Sequence, residues 1–241
     1  MFKDSASSIL FLIVIFVVLL DSFLVAERWE EKGQLSTALE PLILEDILEQ
    51  KSSSIVSEIT EEQTLTSPPF TTQAPQRIWE EPWSDYAEEA VVYMAFKWAR
   101  QEALANRDEI ALDLLAIGAW EEEQFGSSKD TDALQTLRIL QEFYGLNAEL
   151  SYEVSAETIL SALDQGKILI LPVNGQILAN PYYGKPGPEH HMILVYSFDG
   201  LNLLTNDPGT IRGEGYAYEI QKILESIQDL NGEKRMIIIS L

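Results

Sequence analysis

A chain of 241 residues, 46 % of them hydrophobic, is long and apolar enough to bury a core, which argues against a disordered protein. Its formal net charge of −23 repels phosphate backbones and argues against nucleic-acid binding. The chain has no cysteine, which excludes disulfides, thiolate metal sites and a cysteine nucleophile.

The N-terminus predicts a membrane segment. Ile9–Leu20 is an unbroken apolar run, and Ala6–Ala26 supplies the ~20 residues that a spanning helix needs, with Asp21 near one end. The alternative is a cleaved signal peptide, but cleavage after this stretch would place bulky Leu24 where a small residue is needed. We expect residues 1–26 to be a transmembrane anchor or signal peptide, with the anchor favoured. The expected localisation is a single-pass membrane protein whose C-terminal domain is extracytoplasmic.

A stalk is predicted at residues 27–69. Thr37–Gln50 has apolar residues at helical spacing, and Lys51–Pro69 is rich in Ser, Thr and Glu, which is typical of a solvated linker. The composition changes at Phe70, so we expect one folded domain at 70–241.

Helices are predicted first in this domain. Asp130 or Thr131 is the expected cap of the third helix, and Gly145 is its expected end. The predicted helices are Glu88–Ala103, Glu109–Glu122, Thr131–Tyr144 and Ser155–Asp164.

Strands follow, and Asp199-Gly200 between two of them is typical of a tight hairpin. A further helix is expected at about 219–229. Helices followed by an antiparallel sheet indicate an α+β fold. The predicted strands are Lys167–Val173, His191–Phe198, Leu201–Thr205, Tyr216–Glu219 and Met236–Leu241.

His191 and Asp207 are the candidate reactive pair. Each lies at the far end of its hairpin strand from the turn, so antiparallel pairing is expected to set them side by side. A carboxylate beside an imidazole orients the ring for proton transfer. Taken singly, each residue is better explained as a structural hydrogen bonder or a turn residue. His190 is expected to point to the opposite face of the sheet.

Four sequence segments together resemble one peptidase family. They are Gln73-Ala-Pro, Asp85-Tyr-Ala-Glu-Glu-Ala90, the run that contains LPVNGQILANPYY and HHM, and Asn206-Asp-Pro-Gly-Thr210. The last two lie within the most specific block, from Leu171 to Gly213. They resemble the bacteriocin-processing (double-glycine leader) peptidase-like proteins, cysteine peptidase family thirty-nine of the papain-like superfamily. The resemblance spans roughly residues 70–230. It implies a papain-like fold in which N-terminal helices pack on an antiparallel sheet.

The resemblance also implies roles for individual residues. Gln73 matches a glutamine that helps to form the oxyanion hole, His191 matches the base, and Asp207 matches the aspartate that orients the base. Ala87 stands at the position of the nucleophilic cysteine. A methyl group cannot attack a carbonyl, so covalent catalysis has no first step at this position. Ser84 is nearby but does not match the nucleophile's position.

Three functions are compatible with the sequence. The first is a pseudopeptidase that binds a peptide or protein segment, the second an active hydrolase with a displaced nucleophile, and the third a purely structural surface protein. No cofactor is expected, and no metal, because adjacent histidines in a strand point apart. The expected partners are a peptide segment and, through the N-terminal helix, a membrane. Four aromatic residues beside the motifs are candidates for lining a binding groove: Trp79, Trp83, Tyr182 and Tyr183.

Overall fold

The computed structural model of the protein describes residues 67–241. The predicted anchor or signal peptide at 1–26 and nearly all of the predicted stalk at 27–69 lie outside the described residues. Within the described range, no helix is long and apolar enough to cross a membrane.

Three helical segments come first, near the predicted positions. A 3₁₀ turn at Trp83–Asp85 leads into helix α1, Ala87–Arg100. Helix α2, Arg107–Phe125, begins after Asn106, whose side chain accepts hydrogen bonds from two backbone N–H groups of its first turn. Helix α3, Ala133–Arg138, continues as a single π-helical turn over Ile139–Phe143.

The cap of α3 differs from the prediction of Asp130 or Thr131. Asp132 is the N-cap, because its carboxylate accepts from the backbone N–H of Gln135 while the Gln135 side chain accepts from the Asp132 N–H. This reciprocal capping box satisfies two backbone donors that a helix start otherwise leaves free. The predicted end holds, because Gly145 adopts a left-handed conformation with φ of +66°.

The strands form one six-stranded antiparallel sheet in the order β1-β6-β2-β3-β4-β5. The first strand and the short helix α5 have no counterpart in the predictions; the other elements do. In chain order the elements are β1 Asn147–Ser151, α4 Ala156–Asp164, β2 Ile168–Val173, α5 Gly175–Leu178, β3 His191–Phe198, β4 Asn202–Asn206, β5 Tyr216–Glu219, α6 Ile220–Ser226 and β6 Met236–Ser240.

Both faces of the central sheet are covered, so β2 is buried at every position. Ile168 and Ile170 point into a core shared with α1 and α2, whereas Leu169 and Leu171 point into a second core shared with α4 and α6. The alternation of side chains along a strand produces this division. Together the two layers of helices fix the ends of β2 and β3, where the polar motifs lie.

The β3–β4 hairpin forms as predicted, with Asp199 and Gly200 in its turn. Its register is irregular between Val195 and Ser197, and Leu194 lies opposite Asn206. Because β4 ends at Asn206, Asp207 lies just beyond the strand. His191 and Asp207 therefore share one end of the sheet without being a directly opposed pair, and a bulge of this kind commonly re-aims a side chain.

Candidate active-site cleft

A cleft of about 750 Å³ lies where the start of α1 meets the start of β3. It brings together Gln73, Ala87 and His191, which are distant in sequence. Asp207 is fully buried behind the imidazole. Three of the four residues that the motifs single out therefore line one cavity, and the fourth supports it from behind.

His191 and Asp207 form the predicted contact. The imidazole Nε2 lies 2.8 Å from Asp207 Oδ1, and both side chains are buried. Because a carboxylate can only accept, Nε2 carries the proton in this hydrogen bond. Nδ1 is the ring nitrogen left to act on a group in the cleft.

Asp207 accepts more hydrogen bonds than this one. Its Oδ1 also accepts from the Gly209 N–H at 3.0 Å. Its Oδ2 accepts from Asn180 Nδ2 at 3.0 Å and from the hydroxyls of Tyr183 and Tyr218, each at 2.6 Å. Five donors thus converge on a carboxylate with no solvent exposure.

These donors keep Asp207 ionised. Burial by itself raises the pKa of a carboxyl group, but the charge and hydrogen bond of His191 and the hydroxyls of Tyr183 and Tyr218 outweigh it, so the pKa of Asp207 is lowered. Burial and the charge of Asp207 raise the pKa of both tyrosines, which therefore remain hydroxyl donors. The ring of His191 is consequently held by a carboxylate that is ionised at neutral pH.

Two further residues hold the imidazole in place. The Tyr183 ring packs edge-on against His191 with centroids 5.4 Å apart. Gly209 also lies so close to the ring that an added Cβ would meet His191 Cε1 at 2.9 Å. Only a glycine leaves the imidazole in this position without displacement.

Ala87 is the first residue of α1. Its N-cap, Tyr86, makes no side-chain hydrogen bond to the helix start. The N–H groups of a first helical turn have no partners within the helix, and they favour negative charge through the helix dipole. The position thus has the electrostatic setting that suits a thiolate, but a methyl group occupies it.

Gln73 is held differently from an oxyanion-hole donor. Its Nε2 donates to the carbonyl oxygens of Trp83 at 2.9 Å and of Ser84 at 2.7 Å, which uses both amide hydrogens. Exchanging the amide nitrogen and oxygen would set oxygen against two carbonyls, so this orientation is dictated by the partners. The side chain therefore braces the 3₁₀ turn before α1 and offers no free hydrogen to a ligand.

His190 also lines the cleft, but it contacts other residues. Its Nε2 lies 3.0 Å from Glu88 Oε1 and 3.1 Å from the Thr131 carbonyl, so its partners differ from those of His191. Because β3 begins at His191, His190 precedes the strand, and the expected alternation of side chains does not apply to it. Burial alone lowers the pKa of His190, but the hydrogen bond and charge of Glu88 raise it above its ordinary value. This ion pair ties the start of β3 to the first turn of α1.

The four aromatic candidates separate into two pairs. Trp79, which is 40 % exposed, and Tyr183 line the cleft. Trp83 instead packs edge-on against Tyr86 at the margin of the first core. Tyr182 points away, because its ring lies against Tyr216 and under the Arg212 guanidinium.

The cleft is strongly acidic. Lys129 and the two histidines are its cationic or titratable basic groups among the described lining residues, and Lys129 is paired with Asp85 at 3.1 Å. No group of three or more His, Asp or Glu side chains within residues 67–241 is arranged to hold a metal ion. Acidic lining residues are Asp85, Glu88, Asp130, Glu189 and Asp229.

Four residues of this site are not indicated by the sequence motifs. Glu88 belongs to the DYAEEA segment and Asn180 to the NPYY segment, but neither segment indicates a role for them. Tyr218 was placed only as part of a strand, and Gly209 only as part of a turn. The sequence signal for Gly209 is its position two residues after Asp207, the aspartate that orients the base.

Comparison with known proteins supports the fold. No protein-family model and no curated protein matches the chain. A solved structure described as a C39-like peptidase from Bacillus anthracis matches with a TM-score of 0.50 at 12 % sequence identity. The match covers 74 % of this chain and 96 % of that chain. The domain therefore has an α+β fold similar to that of this C39-like peptidase.

Proposed function

We propose that the domain is a catalytically silent relative of these peptidases that binds an extended peptide or protein segment in the cleft. The observation that carries the proposal is the side chain at the start of α1. Ala87 supplies a methyl group inside a cleft that also contains the buried His191–Asp207 pair. Nucleophilic catalysis requires an attacking atom, and this position has none.

The orientation of Gln73 supports the same proposal. Stabilising a tetrahedral intermediate requires hydrogen-bond donors aimed at the developing oxyanion. Both amide hydrogens of Gln73 are engaged by backbone carbonyls. Ser84, the candidate for a displaced nucleophile, lines the cleft, but within the described residues its hydroxyl makes no hydrogen bond to His191. An activated hydroxyl requires contact with its base.

Binding does not depend on these missing parts. The cleft can bind a peptide in its ground state without a nucleophile, because only acceleration of the reaction needs the attacking atom. The exposed ring of Trp79 and the aromatic face of Tyr183 provide apolar contacts in the cleft. The surrounding carboxylates favour a basic or neutral segment over an acidic one.

The finer family assignment is also part of the proposal. The segments around Gln73, Ala87, His191 and Asp207 resemble the bacteriocin-processing branch of the C39-like peptidases. We infer from them that the ligand is an extended stretch of polypeptide. The apolar Ile9–Leu20 run leads us to propose further that the domain is tethered to a membrane, on its extracytoplasmic side.

The test is a pull-down of an extended-peptide library by the full-length protein, followed by measurement of Kd for the enriched sequences. We expect micromolar binding, about −8 kcal/mol, of basic or neutral peptides, weakening as salt rises. Trp79→Ala should weaken it, whereas Tyr182→Ala, an exposed aromatic outside the cleft, is the matched control. No enrichment would favour a structural role, and release of cleaved fragments would overturn catalytic silence.

A further inference from the structure

Two carboxyl groups are buried between α1 and α2, behind the wall of the cleft. Glu89 and Glu121 are both 0 % exposed. None of their four oxygens accepts a hydrogen bond of good geometry from a donor among the described residues. The two side chains interact with each other instead. Two carboxylates can only accept, so a hydrogen bond between them requires a proton on one of the pair.

The surroundings of the pair supply no positive charge. Among the described residues, the basic groups of this region are engaged elsewhere, His190 by Glu88 and Lys129 by Asp85. The Thr131 hydroxyl reaches Glu121 but also lies 3.4 Å from the Thr136 hydroxyl. The titratable groups that face the pair are Glu88 and Tyr86 at the start of α1 and Glu122 on α2, with Asp130 and His190 acting through Glu88.

Two unpaired buried carboxylates side by side would be very costly, because each loses hydration and each repels the other. The pair of carboxyl groups therefore has a lower free energy when it holds protons. We propose that Glu89 and Glu121 form a proton-holding carboxyl pair that fixes the first turn of α1 on α2 at neutral pH and loosens it under alkaline conditions.

The contact that the pair secures is tight. Tyr86 lies across Gly118 of α2, so closely that a side chain at Gly118 would collide with the phenol. Burial, with the nearby charges of Glu89 and Glu121, raises the pKa of Tyr86 to about 12, so the phenol stays neutral through the range in which the carboxyl pair titrates. A loss of protons from the pair would place new negative charge close to the Tyr86 phenol.

The direction of the pH effect follows from linkage. Burial, with the charge of Glu88, raises the pKa of Glu121 from 4.5 to about 8, and burial and the neighbouring Glu121 raise the pKa of Glu89 well above its ordinary value. Between pH 4.5, the ordinary pKa of a glutamate, and the raised pKa values in the folded protein, the folded state holds protons that the unfolded chain has released. The free energy of unfolding should therefore fall as pH rises from about 4.5 to about 8.

The cleft is coupled to the pair through the chain. Ala87 and Glu88 line the cleft and directly precede Glu89 on the first turn of α1. A loosened first turn would shift the position of residue 87 and of the Glu88–His190 ion pair. The device thus makes the wall of the cleft firmer at mildly acidic pH than at alkaline pH.

Infrared titration of the full-length protein tests the proton directly. We expect a carbonyl band of protonated carboxylic acid that persists at pH 7 and weakens as pH passes about 8, where Glu121 loses its proton. Glu89→Gln or Glu121→Gln should remove or shift that band. Glu123→Gln, an exposed position on the same helix, is the control and should leave it unchanged. Absence of the band from the wild-type protein at pH 7 would overturn the proposal, whatever the variants do.

Thermal unfolding across pH supplies the second measurement. The Tm of Glu121→Gln should be close to that of wild type at pH 4.5, and it should exceed the wild-type Tm by a growing amount as pH rises to 8. A Tm lowered equally at every pH would mean that Glu121 is only a packing residue. Stabilisation of wild type, but not of Glu121→Gln, by calcium or magnesium would make the pair a cation site and would equally overturn the proposal.

Discussion

Gly209 lies directly against the imidazole of His191: a Cβ at this glycine would meet the ring at 2.9 Å from Cε1 and 3.0 Å from Nε2. Asp207 holds the same Nε2 by a hydrogen bond of 2.8 Å, and the ring of Tyr183 packs edge-on against the imidazole. The absence of a side chain at residue 209 is therefore a condition for the His191–Asp207 hydrogen bond.

Gly209→Ala should displace the His191 ring and break its contact with Asp207. We expect a destabilisation of about 1–3 kcal/mol, the usual range for overpacking a buried site. Nuclear magnetic resonance of the imidazole, together with denaturant unfolding, measures both effects. Gly184→Ala is the matched control, because an added Cβ there meets nothing within 4 Å. Unchanged His191 resonances in Gly209→Ala would contradict the geometry.

Ala87→Cys should create a reactive thiol. The first turn of α1 and a charged His191 both favour a thiolate, so its pKa should fall below the ~8.5 of a free cysteine. The rate of alkylation as a function of pH measures this pKa. Adding His191→Ala should restore most of the ordinary value, and Leu112→Cys, at a position 67 % exposed on α2, serves as the free-thiol reference. Equal pKa values at positions 87 and 112 would contradict the placement of His191 beside residue 87.

Tyr218→Phe should destabilise the fold by removing one donor from the buried carboxylate of Asp207. Hydrogen bonds to charged groups contribute about 1.5–3 kcal/mol, and the Tyr218 hydroxyl donates at 2.6 Å. Denaturant unfolding at neutral pH measures the loss. Because the pKa of Asp207 is lowered on folding, this stability is present above its ordinary value of 3.8 and is lost as pH falls through the lower folded value. Tyr182→Phe is the control, and an equal loss in both variants would show that the carboxylate is not the cause.

An anchor at residues 1–26 should keep the protein in membranes. Alkaline carbonate washing of cell membranes should leave the full-length chain in the pellet, and protease treatment of intact cells should release the domain. The apolar run Ile9–Leu20 is the reason for this expectation. Recovery of a mature protein beginning near Glu27 would show a signal peptide instead, and protection from external protease would contradict the proposed side of the membrane.

The local parts of the fold could be predicted from the sequence. Hydrophobic spacing located α1, α2 and most strands, and a two-residue turn signal was enough to bring His191 and Asp207 to one end of the sheet. The sequence predicts helix boundaries less accurately where two acidic residues are both possible caps, as at Asp130 and Asp132. Strand β1 escaped prediction because Asn147–Ser151 has only two apolar residues, and it is an edge strand that needs little burial.

The surroundings of the reactive pair could not be predicted in the same way. Asn180 and Tyr183 reach Asp207 from a loop 27 and 24 residues earlier, and no spacing rule links a loop to a carboxylate that it covers. The engagement of Gln73 is likewise a matter of tertiary geometry, because it depends on where two carbonyls of the 3₁₀ turn fall. A motif identifies which residue stands at a position, whereas only the fold decides which of its hydrogens are free.

Strand β6 is the last strand in the chain, yet it lies between β1 and β2. During synthesis, β1 therefore emerges long before β6, its neighbour in the sheet of residues 67–241, and one edge of β2 also waits for β6. The hairpin that holds His191 can form as soon as β3 and β4 have left the ribosome. The sheet is complete only when Met236–Ser240 has been made. Until then two unpaired strand edges are exposed, which is when this domain is most prone to pair with another chain.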